Sequence, residues 1–199
     1  HPISIARHVY DTGITAIPTV SLIAFLISVI LAYIGAQQLL KFGADIFVVD
    51  LESGETRNLT QDAYHDNDPQ VSADGKLVVY IRRISGHTKV MLMALDDPAR
   101  KTQLTFGAHS DTAPSFSTDG NLVYFSSNED DDIPNVRSLD LRSGAVRQYT
   151  DALGGNVAPA VLPGKGGERV AFISYFKGEF RLQTIETSEP MKEIEQEVK

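Results

Sequence analysis

The side chains that could do chemistry in this 199-residue chain are carboxylates and a few histidines. The run Asn128-Glu-Asp-Asp-Asp132 offers the hard oxygen ligands that Ca2+ prefers. It lacks the alternating ligand spacing and fixed glycine of an EF-hand loop, so a solvated loop between strands is the better reading. Asp66-Asn-Asp68 reads the same way. His65 and His109 precede Pro69 and Pro114 by four and five residues, nearly equivalent places that suggest a repeated loop role. No further ligand stands at a spacing that would make either a metal site. His87 is a lone loop residue. Pro163-Gly-Lys-Gly-Gly167 has the composition of a phosphate loop but not the order of one, and a plain turn accounts for it. There is no Gly-x-Ser-x-Gly elbow. The absence of Cys excludes disulfides, iron–sulfur clusters, thiolate zinc sites and cysteine nucleophiles. No catalytic residue, cofactor or metal ligand is expected.

Charge narrows the partners. The chain carries 18 Lys+Arg against 26 Asp+Glu, net -8, where a nucleic-acid binder needs a basic footprint. Residues 1–41 contain only Arg7, Lys41 and Asp11 as formal charges; the remaining 158 hold 16 basic and 25 acidic residues. An apolar head thus precedes an acidic body. A chain that opens on His1 rather than Met is expected to be a processed or incomplete product.

The body, residues 42–187, is a repeat. Asn58-Leu-Thr, Gln103-Leu-Thr and Gln148-Tyr-Thr recur at a step of 45 residues, and so do Pro69, Pro114 and Pro159. Ser72-Ala-Asp74-Gly75 returns as Ser117-Thr-Asp119-Gly120, while the third copy loosens to Leu162–Gly167. Asp-Gly between extended runs signals a hairpin, because glycine takes positive φ without a steric penalty. After each turn comes an apolar strand (Leu77–Ile81, Leu122–Phe125, Arg169–Ser174) and then a second (Lys89–Leu95, Val136–Leu141, Phe180–Ile185). Ile46–Leu51 and Thr56–Thr60, joined at Ser53-Gly54, supply the last two strands of a preceding unit. Four short strands in about 40–45 residues describe a propeller blade. The expected fold is an all-β body, a partial β-propeller of about three four-stranded blades plus part of another. Closed rings have about four to eight blades, so another chain or further blades are expected to complete it.

In the head, 29 consecutive uncharged residues separate Asp11 from Lys41. About 20 apolar helical residues cross the hydrocarbon layer. The pattern predicts a transmembrane helix from Pro18 to about Leu40, with Leu22, Phe25, Leu26 and Ile30 in lipid and Tyr33 towards the far interface. Pro18 suits a first helical turn. Ile3 to Tyr10 could lie as a short interfacial helix. A cleaved signal peptide and a buried soluble helix are the competing readings. The tail, residues 188–199, is polar and could start a short helix with Ser188 as N-cap and Met191, Ile194 and Val198 on one face.

Two resemblances rest on these residues. The pattern Thr…Pro-x-[Val/Phe]-Ser-x-Asp-Gly-x-Leu-Val-x-[Tyr/Phe] over about residues 45–187 resembles TolB-like β-propeller repeats, distant relatives of WD repeats; the chain has no Trp. That resemblance implies a six-bladed ring and a non-enzymatic, protein-binding scaffold of the bacterial envelope, periplasmic, with envelope proteins as partners. Binding would use the loops at residues 62–69, 107–114 and 152–159. A propeller that regulates a peptidase is a further implied alternative.

The second resemblance covers about residues 3–51. Arg7, Asp11, Gly13, Gln38, Gly43 and Asp45 fall in the order seen in MlaE-type permeases, the membrane subunits of phospholipid ABC transporters. That implies an inner-membrane location and, as an alternative function, a truncated permease subunit. The family continues with further membrane helices where this chain turns to repeats, so transport does not carry over. Asp45–Leu51 fits both patterns, which points either to two coding regions joined there or to a membrane-anchored propeller.

Overall fold

The computed structural model describes residues 20–34, 45–162 and 168–194. The chain divides into two units, His1–Gly43 and Ala44–Lys199. In the first, residues 20–34 form one helix, α1. At 1.5 Å per residue its 15 residues extend roughly 22 Å, short of a hydrocarbon layer about 30 Å thick. Among the described residues, which include only 20–34 of the expected span from Pro18 to Leu40, no helix is long and apolar enough to cross a membrane. Leu22, Phe25, Leu26, Ile30 and Tyr33 lie on α1, each at least half exposed. Pro18, residues 35–40 and the expected interfacial segment lie outside the described residues.

The second unit is built of strands. β1 (Phe47–Val49) and β2 (Thr56–Asn58) pair as a hairpin. β3 (Asp66–Val71), β4 (Leu77–Ile84), β5 (His87–Ala94) and β6 (Lys101–Gln103) form an antiparallel meander of four. β7 (Asp111–Phe116), β8 (Leu122–Ser127), β9 (Asn135–Asp140) and β10 (Val146–Gln148) repeat it. β11 (Asn156–Leu162), β12 (Arg169–Phe176) and β13 (Glu179–Glu186) form a sheet of three. β14 (Lys192–Ile194) pairs with β10, making the second full blade five-stranded. The tail that was expected to begin a helix therefore carries a strand, and the third repeat has three strands of its own rather than four. The sheets do not close into a ring.

The repeated turn has a side-chain cause. Ser72 Oγ donates to Asp74 Oδ1 at 2.6 Å and accepts from the Leu77 N–H at 2.9 Å, while Asp74 Oδ1 accepts the Lys76 N–H. Ser117, Asp119, Asn121 and Leu122 repeat each bond. Gly75 and Gly120 complete the turns at φ 70° and 71°, a region costly to other residues.

Packing between blades explains the apolar runs. Along β4, Val78 and Tyr80 face Ile46 and Leu59 on the preceding hairpin. Val79 and Ile81 face Val123 and Phe125 on the next blade. A strand buried on both faces reads as a continuous hydrophobic run rather than an alternation. The seam repeats between Tyr124, Val136 and Tyr149 on one side and Val170 and Phe172 on the other. Beyond it, the register pairs Ile173 with Leu182 and Tyr175 with Phe180 on the outward face of the last sheet. Phe180 and Leu182 are 72% and 77% exposed.

Candidate functional site

The first strands β3, β7 and β11 lie side by side, and each is interrupted at the same place. Their ladders shift register between Asn67 and Gln70, Thr112 and Ser115, and Val157 and Ala160. The unpaired residues are Asp68-Pro69, Ala113-Pro114 and Ala158-Pro159. Proline has no N–H to lose, so it suits a bulge. Asp68, Ala113 and Ala158 adopt φ of 49°, 51° and 54°, a left-handed conformation that costs a non-glycine residue about 1–2 kcal/mol. The same strained geometry is kept three times at a 45-residue step.

These bulges meet around one cavity of about 450 Å3, lined by Asp68, Gln70, Ala113, Pro114, Ser115, Ala158, Pro159 and Ala160. The wall is built of short side chains, with Asp68 its one charged residue. Pro69 lies in the same bulge as Asp68 but is not part of the lining. Asp74, Gly75, Asp119 and Gly120 hold the hairpin turns. The structure thus separates the repeat residues into two groups: Pro114 and Pro159 at the cavity, the Asp-Gly pairs in the turns that follow the first strands.

Around the bulged strands runs a set of buried charges. Asp66, Asp111 and Asn156, again 45 residues apart, open the three first strands and are almost fully buried. Arg82 on β4 donates to both carboxylate oxygens of Asp66, at 2.8 and 2.6 Å, and to Asp62. Its guanidinium lies 4.5 Å from the ring centre of Tyr64. Lys89 on β5 donates to Asp111 at 3.3 Å and to the Phe106 carbonyl at 3.1 Å. Burial pushes the Asp111 carboxyl up, but His109 and Lys89 outweigh it and hold it below the usual range. Burial pushes Lys89 down, against the pull of Asp111.

His109 stands between Asp111, at 3.5 Å, and Glu129, at 3.8 Å. His65 is exposed and offers its backbone carbonyl to the Arg83 N–H. The two histidines that looked equivalent therefore have different jobs. His87 opens β5. In the acidic run after Asn128, Glu129 and Asp130 are taken up by Arg137, and Asp130 also by Lys192 at 2.7 Å. The run is an exposed loop between β8 and β9 in which Glu129 and Asp130 also anchor buried and edge cations. Among the described residues no three acidic or histidine side chains converge to hold a metal ion. Residues 163–167 lie outside the described residues.

Two repeated polar positions have roles that the repeat itself does not reveal, although the repetition marks the positions. Thr60, Thr105 and Thr150 are buried, and their hydroxyls accept the backbone N–H groups of Ile46, Val90 and Val136 at 3.1, 3.0 and 2.8 Å. They tie each outer strand back to the strand before it. The Asp66–Asp111–Asn156 register was equally visible as a polar position at the repeat step.

The comparisons with known proteins agree with this architecture. Residues 30–196 match the TolB beta propeller domain family, and residues 5–53 match Permease MlaE, so the two matches overlap across the start of the strand-built unit. An uncharacterized protein of Agrobacterium fabrum is 27% identical over 144 residues, which cover 66% of this chain and 47% of that protein. TolB from Acinetobacter baumannii is similar in fold, with a TM-score of 0.63 and 20% identity over 74% of this chain and 36% of its own. A TolB-like protein of Agrobacterium tumefaciens gives a TM-score of 0.63 and 22% identity over 76% of this chain and 57% of its own. The chain thus spans about half or less of the curated relative and of the Acinetobacter protein, and somewhat more of the third. With a match over most of its length and a 45-residue blade repeat, the chain belongs to the TolB beta propeller domain family.

Proposed function

We propose that this chain is a non-enzymatic, protein-binding scaffold of the bacterial envelope, with its propeller unit in the periplasm. The binding surface is the axial one, formed by residues 62–69, 107–114 and 152–159 and the cavity behind them. The observation that carries the reading is the threefold bulge. A backbone strain kept at Asp68, Ala113 and Ala158 surrounds one small-walled cavity, and recurrent strain of this kind accompanies functional surfaces. Around the cavity Arg82 with Asp66 and Lys89 with Asp111 are consumed in ion pairs, which leaves Asp68 as the one charged group on its wall. Fold likeness alone assigns no partner, so the partner class rests on the family resemblance.

Membrane attachment through the N-terminal segment belongs to the same proposal. It is supported by the exposed apolar surface of α1 and by the match to Permease MlaE over residues 5–53. The test is site-specific photo-crosslinking in cell envelopes, with the photoreactive residue at position 115 on the cavity wall or at position 142 on a distant turn. A protein adduct formed from 115 and not from 142 supports the axial surface. Equal adducts from both, or none from 115, would overturn it.

A further inference from the structure

β14 is paired with an unexpected neighbour. The outer strands β2, β6 and β10 begin at Thr56, Lys101 and Val146, a step of 45 residues. The next step falls at 191, so Lys192–Ile194 is by sequence the fourth strand of the β11–β12–β13 sheet. It lies instead antiparallel on β10, with Val146 opposite Ile194, Arg147 opposite Glu193 and Gln148 opposite Lys192. Among the described residues the β13 edge carries no further strand. A three-residue strand that leaves its own sheet for another must be drawn by what that edge offers.

The β10 edge offers three matched contacts. Arg147 Nε donates to Glu193 at 3.0 Å, and Lys192 Nζ donates to Asp130 at 2.7 Å. Ile194 packs against the cluster that contains Val146. The Met191 N–H extends the ladder to the Gln148 carbonyl. The equivalent edge of the preceding blade differs at one decisive place. Lys101 stands where β10 has Val146, and its ammonium is committed to Asp62 and the Thr60 carbonyl. A lysine on an edge strand discourages further pairing, whereas a buried valine invites an apolar neighbour. Among the described residues no strand adds to β6.

We propose that the outer edge of β10 is a docking site for an extended segment of a partner protein with a basic, an acidic and an aliphatic residue in succession, and that Lys192–Glu193–Ile194 fills it in cis. The recognition is strand addition: main-chain bonds give affinity, while Asp130, Arg147 and the Val146 pocket read three successive side chains. The site is separate from the axial cavity and does not depend on the reading given for it. The cis strand sets a threshold, since a partner must displace it before pairing.

The probe is a fluorescein-labelled peptide with the sequence of residues 188–199, titrated against the full chain by polarization. Ile194→Asp weakens the cis strand, and Glu193→Lys serves as a second cis-weakened variant if the first melts without cooperativity. The peptide is expected to bind a cis-weakened chain at least tenfold more tightly than the wild type. Adding Arg147→Glu is expected to remove that binding, and a peptide carrying Glu193→Lys to restore it. A chain with Arg147→Cys and Glu193→Cys, otherwise free of cysteine, should close an intramolecular disulfide and refuse the peptide. No saturable binding to either weakened variant, or binding indifferent to Arg147, would overturn the proposal. So would a disulfide formed between chains, which would make the occupant a second copy.

Discussion

Lys89 on β5 holds Asp111 on β7 at 3.3 Å, so a buried ion pair joins the third strand of one blade to the first strand of the next. Both side chains are almost wholly inaccessible. The pair sits on the seam that also carries Val90 and Phe116, where a lone charge would find no water. Removing one partner of such a pair costs about 3–5 kcal/mol, because the other charge stays buried. Lys89→Met is therefore expected to lower the urea midpoint severely. Lys89→Met with Asp111→Leu should recover a large part of the loss. Equal midpoints for the single and double variants would count against the pair as the cause.

The acid limb of stability follows from the same carboxylates. Burial pushes Asp62 up, but its hydrogen bonds to Lys101, the Tyr64 N–H and Arg82 bring it below its ordinary value of 3.8. Asp111 is also held low. A carboxyl depressed by folding stabilises fully above its unfolded pKa, and that contribution drains as pH falls through the folded value. The urea midpoint should stay level from about pH 7 to pH 5 and fall below about pH 4. Asp62→Asn should be less stable than the wild type at pH 7, and the gap should narrow as pH falls below about 4. A constant gap across that window would exclude Asp62 from the acid limb.

Thr105 and Thr150 give an isosteric test of the strand ties. Valine keeps the shape and loses the acceptor for a buried N–H, which costs about 1–3 kcal/mol. Thr150→Val should show that loss by chemical denaturation and Thr150→Ser should recover most of it. A silent Thr150→Val would mean that water reaches the Val136 N–H.

Two substitutions at positive φ should differ in their effect. At Gly120 an added Cβ meets nothing within 4 Å, so Gly120→Ala costs conformational strain alone, about 1 kcal/mol. Ala158 already bears that strain, and Ala158→Gly relieves it at the expense of a looser unfolded chain. Its midpoint should change by less than Gly120→Ala or rise. If both fall equally, the bulge is not strained.

How much of this was legible in the sequence depended on repetition. The Ser-x-Asp-Gly turns, present twice, and the apolar strands, present three times, were readable because copies in register outvote local ambiguity. The strand boundaries followed from the Asp-Gly and Ser53-Gly54 turns, and in the structure Asp50 and Asp140 accept turn N–H groups at equivalent places. The left-handed residues before Pro69, Pro114 and Pro159 were hidden, since proline normally biases its predecessor toward extended backbone. The partner of β14 was hidden for another reason. Three residues specify a strand but not which edge receives it, and that choice lies with Asp130, Arg147 and Val146, far away in the chain.

The outward face of the last sheet makes the final prediction. Val170 and Phe172 on β12 are buried against the preceding blade, while Ile173 and Tyr175, which alternate with them, look the other way. On β4 and β8 the corresponding faces are covered by the next blade in the chain. Here Phe180 and Leu182 join Ile173 and Tyr175 in an uncovered apolar patch beside an open strand edge, a surface prone to association. Replacing Leu182 and Phe180 by Lys should leave the melting temperature nearly unchanged, since both side chains are mostly exposed. The same change should abolish concentration-dependent association in sedimentation velocity. A wild-type chain that stays monomeric at high concentration would show that the face is covered by something else, and an unaffected association in the double variant would place the contact elsewhere.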